Sequence, residues 1–202
     1  AMRIIHTHPF NHAGYYPGAS QMAMKLIVDP ATDAILGAQV VGDDGVDKRI
    51  DVIATAMAAG ITASGLMDLE LSYAPQFASA KDPINMLGYV NENRALGEVS
   101  IQWHEVESHL EQGWQLLDVR TMGEYSQGAI PGSQLITLDE LRGHVEGLRG
   151  SKVIVTCRVG QRGHTAASIL AQAGIEVANL DGGYLTWQLG TAASAQPALS
   201  ST

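Results

Sequence analysis

Apolar and polar residues alternate early in the chain, in a pattern that is typical of β-strands. Residues 22–28 and 34–41 are rich in β-branched and other apolar side chains, and both segments predict strands. The segment between them, 29–33, contains a proline that presets φ and aspartates that support turn hydrogen bonds. The pattern therefore predicts an antiparallel hairpin.

The apolar spacing then changes to that of helices. A helix is predicted over 46–59, because Gly60 is a natural stop, and a second helix begins at Asp82, a suitable N-cap that precedes Pro83. An antiparallel sheet with helices predicts an α+β fold for the first half of the chain. The residues expected on the buried helix faces are Ile50, Ile53, Ala54, Met57 and Ala58 in the first helix, and Ile84, Leu87 and Val90 in the second.

The second half alternates strands and helices, which is typical of an α/β fold with a mostly parallel sheet and helices on both faces. Thr137 and Glu140 have the spacing of a capping box, and they predict a helix that runs to about Leu148. The other elements expected are helices over 105–111 and 162–173, and strands over 115–119, 152–156 and 175–180.

This change of pattern predicts two domains, an α+β domain over 2–97 and an α/β domain over 98–190. Residues 191–202 are rich in alanine, serine and threonine without periodicity, and we expect them to form a disordered tail. No apolar run approaches the ~20 residues of a membrane-spanning helix, and no signal peptide is visible. We therefore expect a cytoplasmic protein with no membrane partner.

Composition and charge narrow the possible functions. With 46% hydrophobic and 16% charged residues, the chain has an ordinary globular composition. Its net charge of −9 disfavours nucleic acid and anionic membranes as partners, because both carry the same sign of charge. The single cysteine, Cys157, excludes an intrachain disulfide and a zinc–thiolate cluster, so it is either an inert core residue or a reactive thiol.

The surroundings of Cys157 favour the reactive alternative. The residue follows a predicted strand and precedes a predicted helix, at the edge of the sheet where α/β folds bind ligands. Backbone N–H groups of the intervening loop are expected to form an anion-binding nest, and the helix dipole favours a thiolate there. The loop residues are Arg158, Val159, Gly160, Gln161 and Arg162, of which Gly160 permits a tight turn.

The charges along this part of the chain support the same interpretation. No acidic residue lies between Glu146 and Glu176. Cations near a cysteine favour its thiolate form, so a locally basic environment predicts a nucleophilic sulfur. The basic side chains in the interval are Arg149, Lys152, Arg158 and Arg162.

The second half carries three sequence motifs, one at Cys157, one upstream of it and one downstream. Residues 157–162, Cys-Arg-Val-Gly-Gln-Arg, resemble the six-residue active-site loop of rhodaneses. Upstream, Leu-Leu-Asp-Val-Arg at 116–120, Glu-Tyr at 124–125 and Ile-Pro-Gly at 130–132 resemble the family's other signature, and Asp-Gly-Gly at 181–183 with Trp187 resembles its closing motif. The resemblance implies a sulfurtransferase in which Cys157 carries sulfane sulfur as a persulfide, cradled by the loop through Arg162.

We interpret Asp118 and Arg120 as a structural ion pair at the end of a strand, with orientation of the loop by Asp118 as the alternative.

A protein tyrosine phosphatase is disfavoured, since its Cys-x5-Arg loop is one residue longer than the loop from Cys157 to Arg162. No aspartate lies in or beside this loop to act as a general acid.

The first half carries an ordered set of motifs at 12–19, 35–39, 45–54, 71–77 and 80–85. This set resembles the dimerisation domain of flavin- and pyridine-nucleotide-dependent disulfide reductases, in the coenzyme A disulfide reductase branch that carries a C-terminal rhodanese domain. The resemblance implies a homodimer through residues 2–97. It also places Tyr73, and either Tyr15 or Tyr16, in the partner subunit's active site. Simple packing of these tyrosines at the dimer surface is the alternative that we favour for this chain alone.

No Gly-x-Gly-x-x-Gly fingerprint follows a strand, so we expect no cofactor in this chain, and FAD and NAD(P)H are implied only for a longer reductase. His6, His8 and His12 are expected in a loop as solvated or packing residues, with no metal bound.

The expected activity transfers sulfane sulfur from thiosulfate, a persulfide or a polysulfide to a thiol, with coenzyme A as a candidate partner of an associated CoA-disulfide or CoA-persulfide reductase. A non-catalytic module for dimerisation and partner binding is the alternative.

Overall fold

The computed structural model describes residues 2–195 and divides them into two compact units between Gly97 and Glu98. The first unit contains an antiparallel three-stranded sheet with β1 (Arg3–Thr7), β2 (Ala23–Val28) and β3 (Ile35–Val41) in that order. The hairpin of β2 and β3 confirms the prediction.

Strand β1 was not predicted, and the loop expected at His6 is wrong. His6 lies within β1 and pairs with Lys25 of β2. The strand has only five residues, which include an arginine and a histidine, and only Ile5 and Thr7 are buried. So short a segment carries too little alternation to be recognised from its pattern alone.

Two helices complete the first unit, α1 (Val46–Ala58) and α2 (Pro83–Ala95), with a 3₁₀ helix over Ser64–Asp68 before α2. Helix α2 begins as predicted, because the Asp82 side chain accepts a hydrogen bond from the Ile84 N–H. The sheet and the helices enclose one apolar core. Its members include Ile5, Met24, Leu26, Val28, Ile53, Ala56, Leu66, Ile84 and Leu87.

The face predicted to be buried in α1 is wrong in part. Met57 is 39% exposed, and Ala54 and Ala58 are exposed as well. The residues that α1 buries are Arg49, Ile53 and Ala56. Arg49 is tolerated inside because its guanidinium donates to the Asp82 carboxylate at 3.0 Å and to the Asn11 carbonyl at 2.8 Å. A pattern based on hydrophobicity places an arginine outside and therefore rotates the predicted face.

The second unit contains a five-stranded sheet in the order β4-β8-β7-β5-β6, and every pairing in it is parallel. The longer strands β5, β7 and β8 were predicted, whereas the two-residue strands β4 and β6 at the sheet edges were not. The bounds are β4 Ser100–Ile101, β5 Gln115–Asp118, β6 Gln134–Leu135, β7 Lys152–Thr156 and β8 Glu176–Leu180.

Helices cover both faces of this sheet, as predicted. Val153 and Val155 of β7 pack in one apolar cluster, whereas Ile154 packs in another, because successive residues of a strand point to opposite faces. Helices α5 and α6 contribute to the first cluster, and α3 and α7 to the second. The bounds are α3 Val106–Glu111, α4 Met122–Ser126, α5 Leu141–His144, α6 Gln161–Gln172 and α7 Gly183–Ser194, with 3₁₀ helices over Trp103–Glu105 and Val145–Leu148.

The helix predicted from Thr137 begins later than expected. The Thr137 hydroxyl does donate to the Glu140 carboxylate at 2.7 Å, but this pair closes a turn, and α5 starts only at Leu141. A 3₁₀ helix then replaces the predicted continuation up to Leu148. Gly143 and Gly147 lie in this stretch, and their low helix propensity accounts for its irregularity.

The tail predicted to be disordered over 191–202 is ordered in its first residues. Helix α7 continues through Ser194, and the Thr191 hydroxyl donates to the Trp187 carbonyl at 2.8 Å. Ala192 and Ala193 favour a helix that is already nucleated upstream, and this outweighs the lack of apolar periodicity. Residues 196–202 lie outside the described part of the chain.

Among residues 2–195, no helix is both long and apolar enough to cross a membrane.

Candidate active site

Cys157 lies at the carboxyl edge of the parallel sheet. It directly follows β7, a central strand paired with both β5 and β8, and the loop after it leads into α6. The residue is only 1% exposed and packs among apolar residues of the core. The first N–H groups of α6 have no carbonyl partner within the helix, so the loop ends at a site suited to negative charge.

Glycines hold the loop in its tight conformation. Gly160 is the N-cap of α6, with a φ of +92°. Gly183 approaches the loop so closely that a Cβ atom on it would lie 2.4 Å from the Cys157 carbonyl oxygen and 2.7 Å from the Gly160 nitrogen. The N–H groups of Tyr184 and Leu185 donate to the carbonyls of Cys157 and Arg158 at 2.8 and 3.0 Å. The start of α7 therefore fixes the carbonyl side of the loop.

Arg162, the last residue of the loop, forms a two-pronged ion pair with Glu124 of α4. Its Nη1 and Nη2 atoms donate to the two carboxylate oxygens at 2.7 and 2.6 Å. This pairing lowers the pKa of Glu124 to about 2, against a smaller opposing effect of burial. Hydrogen bonding to Glu124 is also the main cause that raises the pKa of Arg162, and the nearby Cys157 sulfur adds to it.

The role of Glu124 was not predicted, although it lies in a motif used for the rhodanese resemblance. Thr121 and Glu124 form a capping box, since the Glu124 N–H donates to the Thr121 hydroxyl and the Thr121 N–H donates to the Glu124 carboxylate. That spacing indicates a helix start in the sequence. Nothing in the sequence links Glu124 to Arg162, which is 38 residues away.

Fewer of the predicted cations lie close to Cys157 in the structure than the sequence indicated. Lys152 begins β7 and pairs with Glu176 at 3.1 Å, and Arg149 pairs with Glu146 at 2.8 Å. Cys157 follows the opposite end of β7, roughly 16 Å from Lys152 at the usual rise per residue of a strand. Of the four cations, Arg158 and Arg162 belong to the loop itself.

Asp118 and Arg120 form a buried ion pair at the end of β5, with exposures of 0% and 3%. The Arg120 guanidinium donates to Asp118 at 2.7 to 3.0 Å and to the Gly128 carbonyl at 2.7 Å. Its guanidinium also lies over the Tyr184 ring, 4.3 Å from the centroid. The pair thus connects the strand end to the segment before β6 and to α7, in agreement with a structural role.

The side-chain amide of Asn179 also stabilises the loop, and this contact was not predicted from the sequence. Asn179 of β8 donates to the Gly160 carbonyl at 3.2 Å and to Glu98 at 3.1 Å. Glu98 also interacts with the ring of His164, in the first turn of α6. Gly163 leaves room for this amide, because a Cβ atom there would lie 2.3 Å from the Asn179 side-chain oxygen.

In the first unit, the structure brings together two of the three predicted tyrosines. The hydroxyl groups of Tyr15 and Tyr73 are hydrogen-bonded at 3.1 Å, and this contact raises the pKa of Tyr73. Both side chains are exposed, by 77% and 49%. Tyr16 instead packs edge-on against the buried His12, with ring centroids 5.9 Å apart.

Among residues 2–195, no cluster of histidine, cysteine and acidic side chains is arranged to hold a metal ion.

Comparison with known families agrees with this architecture. Residues 2–83 match the pyridine nucleotide-disulphide oxidoreductase dimerisation domain, and residues 102–189 match the rhodanese-like domain. The chain thus joins a reductase-type dimerisation domain to a rhodanese-like domain, as the motifs predicted. In this order of domains the chain is similar to a solved coenzyme A disulfide reductase–rhodanese protein.

Individual relatives support the assignment. The structure of reduced Bacillus anthracis CoADR-RHD is 46% identical, with a TM-score of 0.90, over 93% of this chain and 34% of that one. An NAD-dependent persulfide reductase from A. fulgidus is 34% identical, with a TM-score of 0.82 and the same coverage. Coenzyme A disulfide reductase from Staphylococcus aureus is 46% identical over 78 residues, which are 39% of this chain. The chain spans about a third of the two solved structures and matches 18% of that curated relative.

Proposed function

We propose that the rhodanese-like domain is a sulfurtransferase whose sulfur carrier is Cys157. The observation that carries the proposal is the position of this single thiol, between the carboxyl end of β7 and the N-terminus of α6. The near-complete burial of Cys157 favours a reacting group as small as one sulfur atom over a phosphate ester.

The reaction consists of two displacements at sulfur. The Cys157 thiolate attacks the outer sulfur of a donor such as a persulfide, a polysulfide or thiosulfate, and the donor's S–S bond breaks with its electron pair leaving on the donor. An acceptor thiolate then attacks the outer sulfur of the Cys157 persulfide and takes that atom, which regenerates the Cys157 thiolate. The loop residues from Arg158 to Arg162 surround the transferred atom.

The relatives support coenzyme A or its persulfide as a candidate partner, because one of them is named a coenzyme A disulfide reductase and another a persulfide reductase. We propose that residues 2–97 form a homodimer, in keeping with the dimerisation-domain match. In a complete reductase, the hydrogen-bonded pair of Tyr15 and Tyr73 would face the partner subunit's active site, where a phenol can protonate a sulfur leaving group.

Intact mass measurement tests the sulfurtransferase proposal. After incubation with thiosulfate or with the persulfide of N-acetylcysteamine, the wild-type protein is expected to gain the mass of one sulfur atom, which a reductant removes. Since Cys157 is the only cysteine, Cys157→Ala is expected to gain none. A wild type that gains no sulfur from any donor would favour the non-catalytic binding module, and an equal gain in the variant would place the chemistry elsewhere.

A further inference from the structure

The guanidinium of Arg162 lies near the Cys157 sulfur and pairs with the Glu124 carboxylate. The carboxylate occupies one N–H of each terminal nitrogen, as the distances of 2.7 and 2.6 Å indicate. A guanidinium has five N–H groups, so this end-on contact leaves three for other partners. Glu124 therefore sets the plane and position of Arg162 without removing all of its donors.

The charge on Glu124 persists under physiological conditions. Besides Arg162, its carboxylate accepts hydrogen bonds from the N–H and the hydroxyl of Thr121, both at 3.1 Å. These donors, with Arg162 first, hold the pKa of Glu124 at about 2. The ionised pair is thus a permanent feature of the loop, and it carries no net charge.

We propose that Glu124 is a positioning and specificity-determining residue, which orients Arg162 towards Cys157 and cancels its charge so that the site discriminates against dianionic sulfur donors. This inference rests on the proposed sulfurtransferase function. A loop with an unpaired arginine would attract thiosulfate, which carries two negative charges. With Glu124 in place, a dianion meets an ion pair with no net charge, whereas a persulfide, with at most one charge on its reacting end, is affected much less.

The test compares two donors in steady-state sulfur transfer to a thiol, with the full chain throughout. Glu124→Gln removes the charge but retains a side chain that can complete the capping box with Thr121. With thiosulfate, the variant is expected to have a KM lower by about fivefold or more, and a steeper dependence on salt. With the persulfide of N-acetylcysteamine, its KM is expected to change less than about twofold.

Two further variants separate charge from structure. Glu146→Gln makes the same change of net charge at an exposed pair with Arg149, and it is expected to leave both donors unaffected. Glu124→Asp keeps the charge, and it is expected to keep the wild-type preference between donors even if kcat falls.

The outcomes are distinct. An equal loss of kcat/KM for both donors in Glu124→Gln would reduce Glu124 to a purely structural role and overturn the inference. An unchanged donor preference would overturn it as well, while the wild type's gain of sulfur in the mass measurement would leave the sulfurtransferase function standing. A wild type that takes sulfur from neither donor would overturn both.

Discussion

Gly183 shows how strongly the candidate site depends on single residues. It has a φ of +63°, a left-handed conformation that side chains other than glycine rarely adopt. The space beside it is filled by the backbone of the Cys157 loop, which cannot move aside as a flexible side chain does. The first helical turn of α7 can therefore hold the loop only if this position lacks a Cβ atom.

Replacement of Gly183 by alanine is expected to destabilise the protein by about 2–4 kcal/mol, because strain and a backbone clash coincide. The added methyl group would also displace the loop, so we expect Cys157 to gain sulfur far more slowly in the mass measurement. Gly143→Ala is the matched control, since a Cβ atom added there would meet nothing within 4 Å and a helix favours alanine. Equal stability of the two variants in urea unfolding would contradict this account of the loop.

At the scale of elements, α4 is held by contacts at its start rather than by its length. It has five residues, fewer than an isolated helix needs for stability. The Thr121–Glu124 capping box begins it, and the ion pair of Glu124 with Arg162 attaches it to the start of α6. One carboxylate thus joins two helices at the candidate site.

The stability contributed by Glu124 is expected to depend on pH. Its pKa falls from 4.5 to about 2 on folding, so the unfolded chain binds the proton more tightly. The stabilisation is therefore fully present above about pH 4.5 and is lost as the pH falls towards 2. Glu124→Gln is expected to be less stable than wild type by roughly 1–3 kcal/mol at pH 7, allowing for partial exposure of the pair.

Tryptophan fluorescence during urea unfolding measures this difference, because Trp103, Trp114 and Trp187 all lie in the second unit. The gap between Glu124→Gln and wild type should close as the pH is lowered. A gap of the same size at pH 7 and pH 3 would mean that the carboxylate charge is not its source. Glu146→Gln again serves as control, and its exposed pair is expected to contribute little.

At the scale of the whole molecule, the first unit exposes several large aromatic side chains. Tyr15 and Phe77 are 77% and 68% exposed, and Phe10, Tyr16 and Tyr73 are exposed by 43–49%. Exposed apolar surface of this kind is typical of an interface with another protein. It agrees with the dimerisation-domain match of residues 2–83.

Sedimentation velocity at micromolar concentration is expected to give a dimer, of twice the 21.4 kDa chain mass. The double variant Tyr15→Ser and Phe77→Ser is expected to weaken association at least tenfold, since each substitution removes an exposed aromatic side chain of a type that often dominates interfaces. Leu189→Ser, at a similarly exposed apolar residue of the second unit, is the control. A monomeric wild type would contradict the proposed dimer.

The local pattern of the sequence was sufficient for most of the long elements and for the loop, although it did not predict α7. The alternation in β2 and β3, the cap at Asp82, the apolar run of β7 and the glycine after Cys157 are local signals, and local physics decides them. The motifs also indicated both domain families, because their residues recur at characteristic spacings.

Only the tertiary structure decided which charged groups meet. Arg49 is buried because Asp82 lies opposite it, Arg162 is paired because α4 carries Glu124 to the start of α6, and Lys152 is directed away from Cys157 by the length of a strand. The two-residue strands β4 and β6 exist because longer strands offer them a partner. The physical reason is the same in each case: hydrogen bonds and ion pairs between residues distant in sequence depend on the path of the backbone, which no local pattern records.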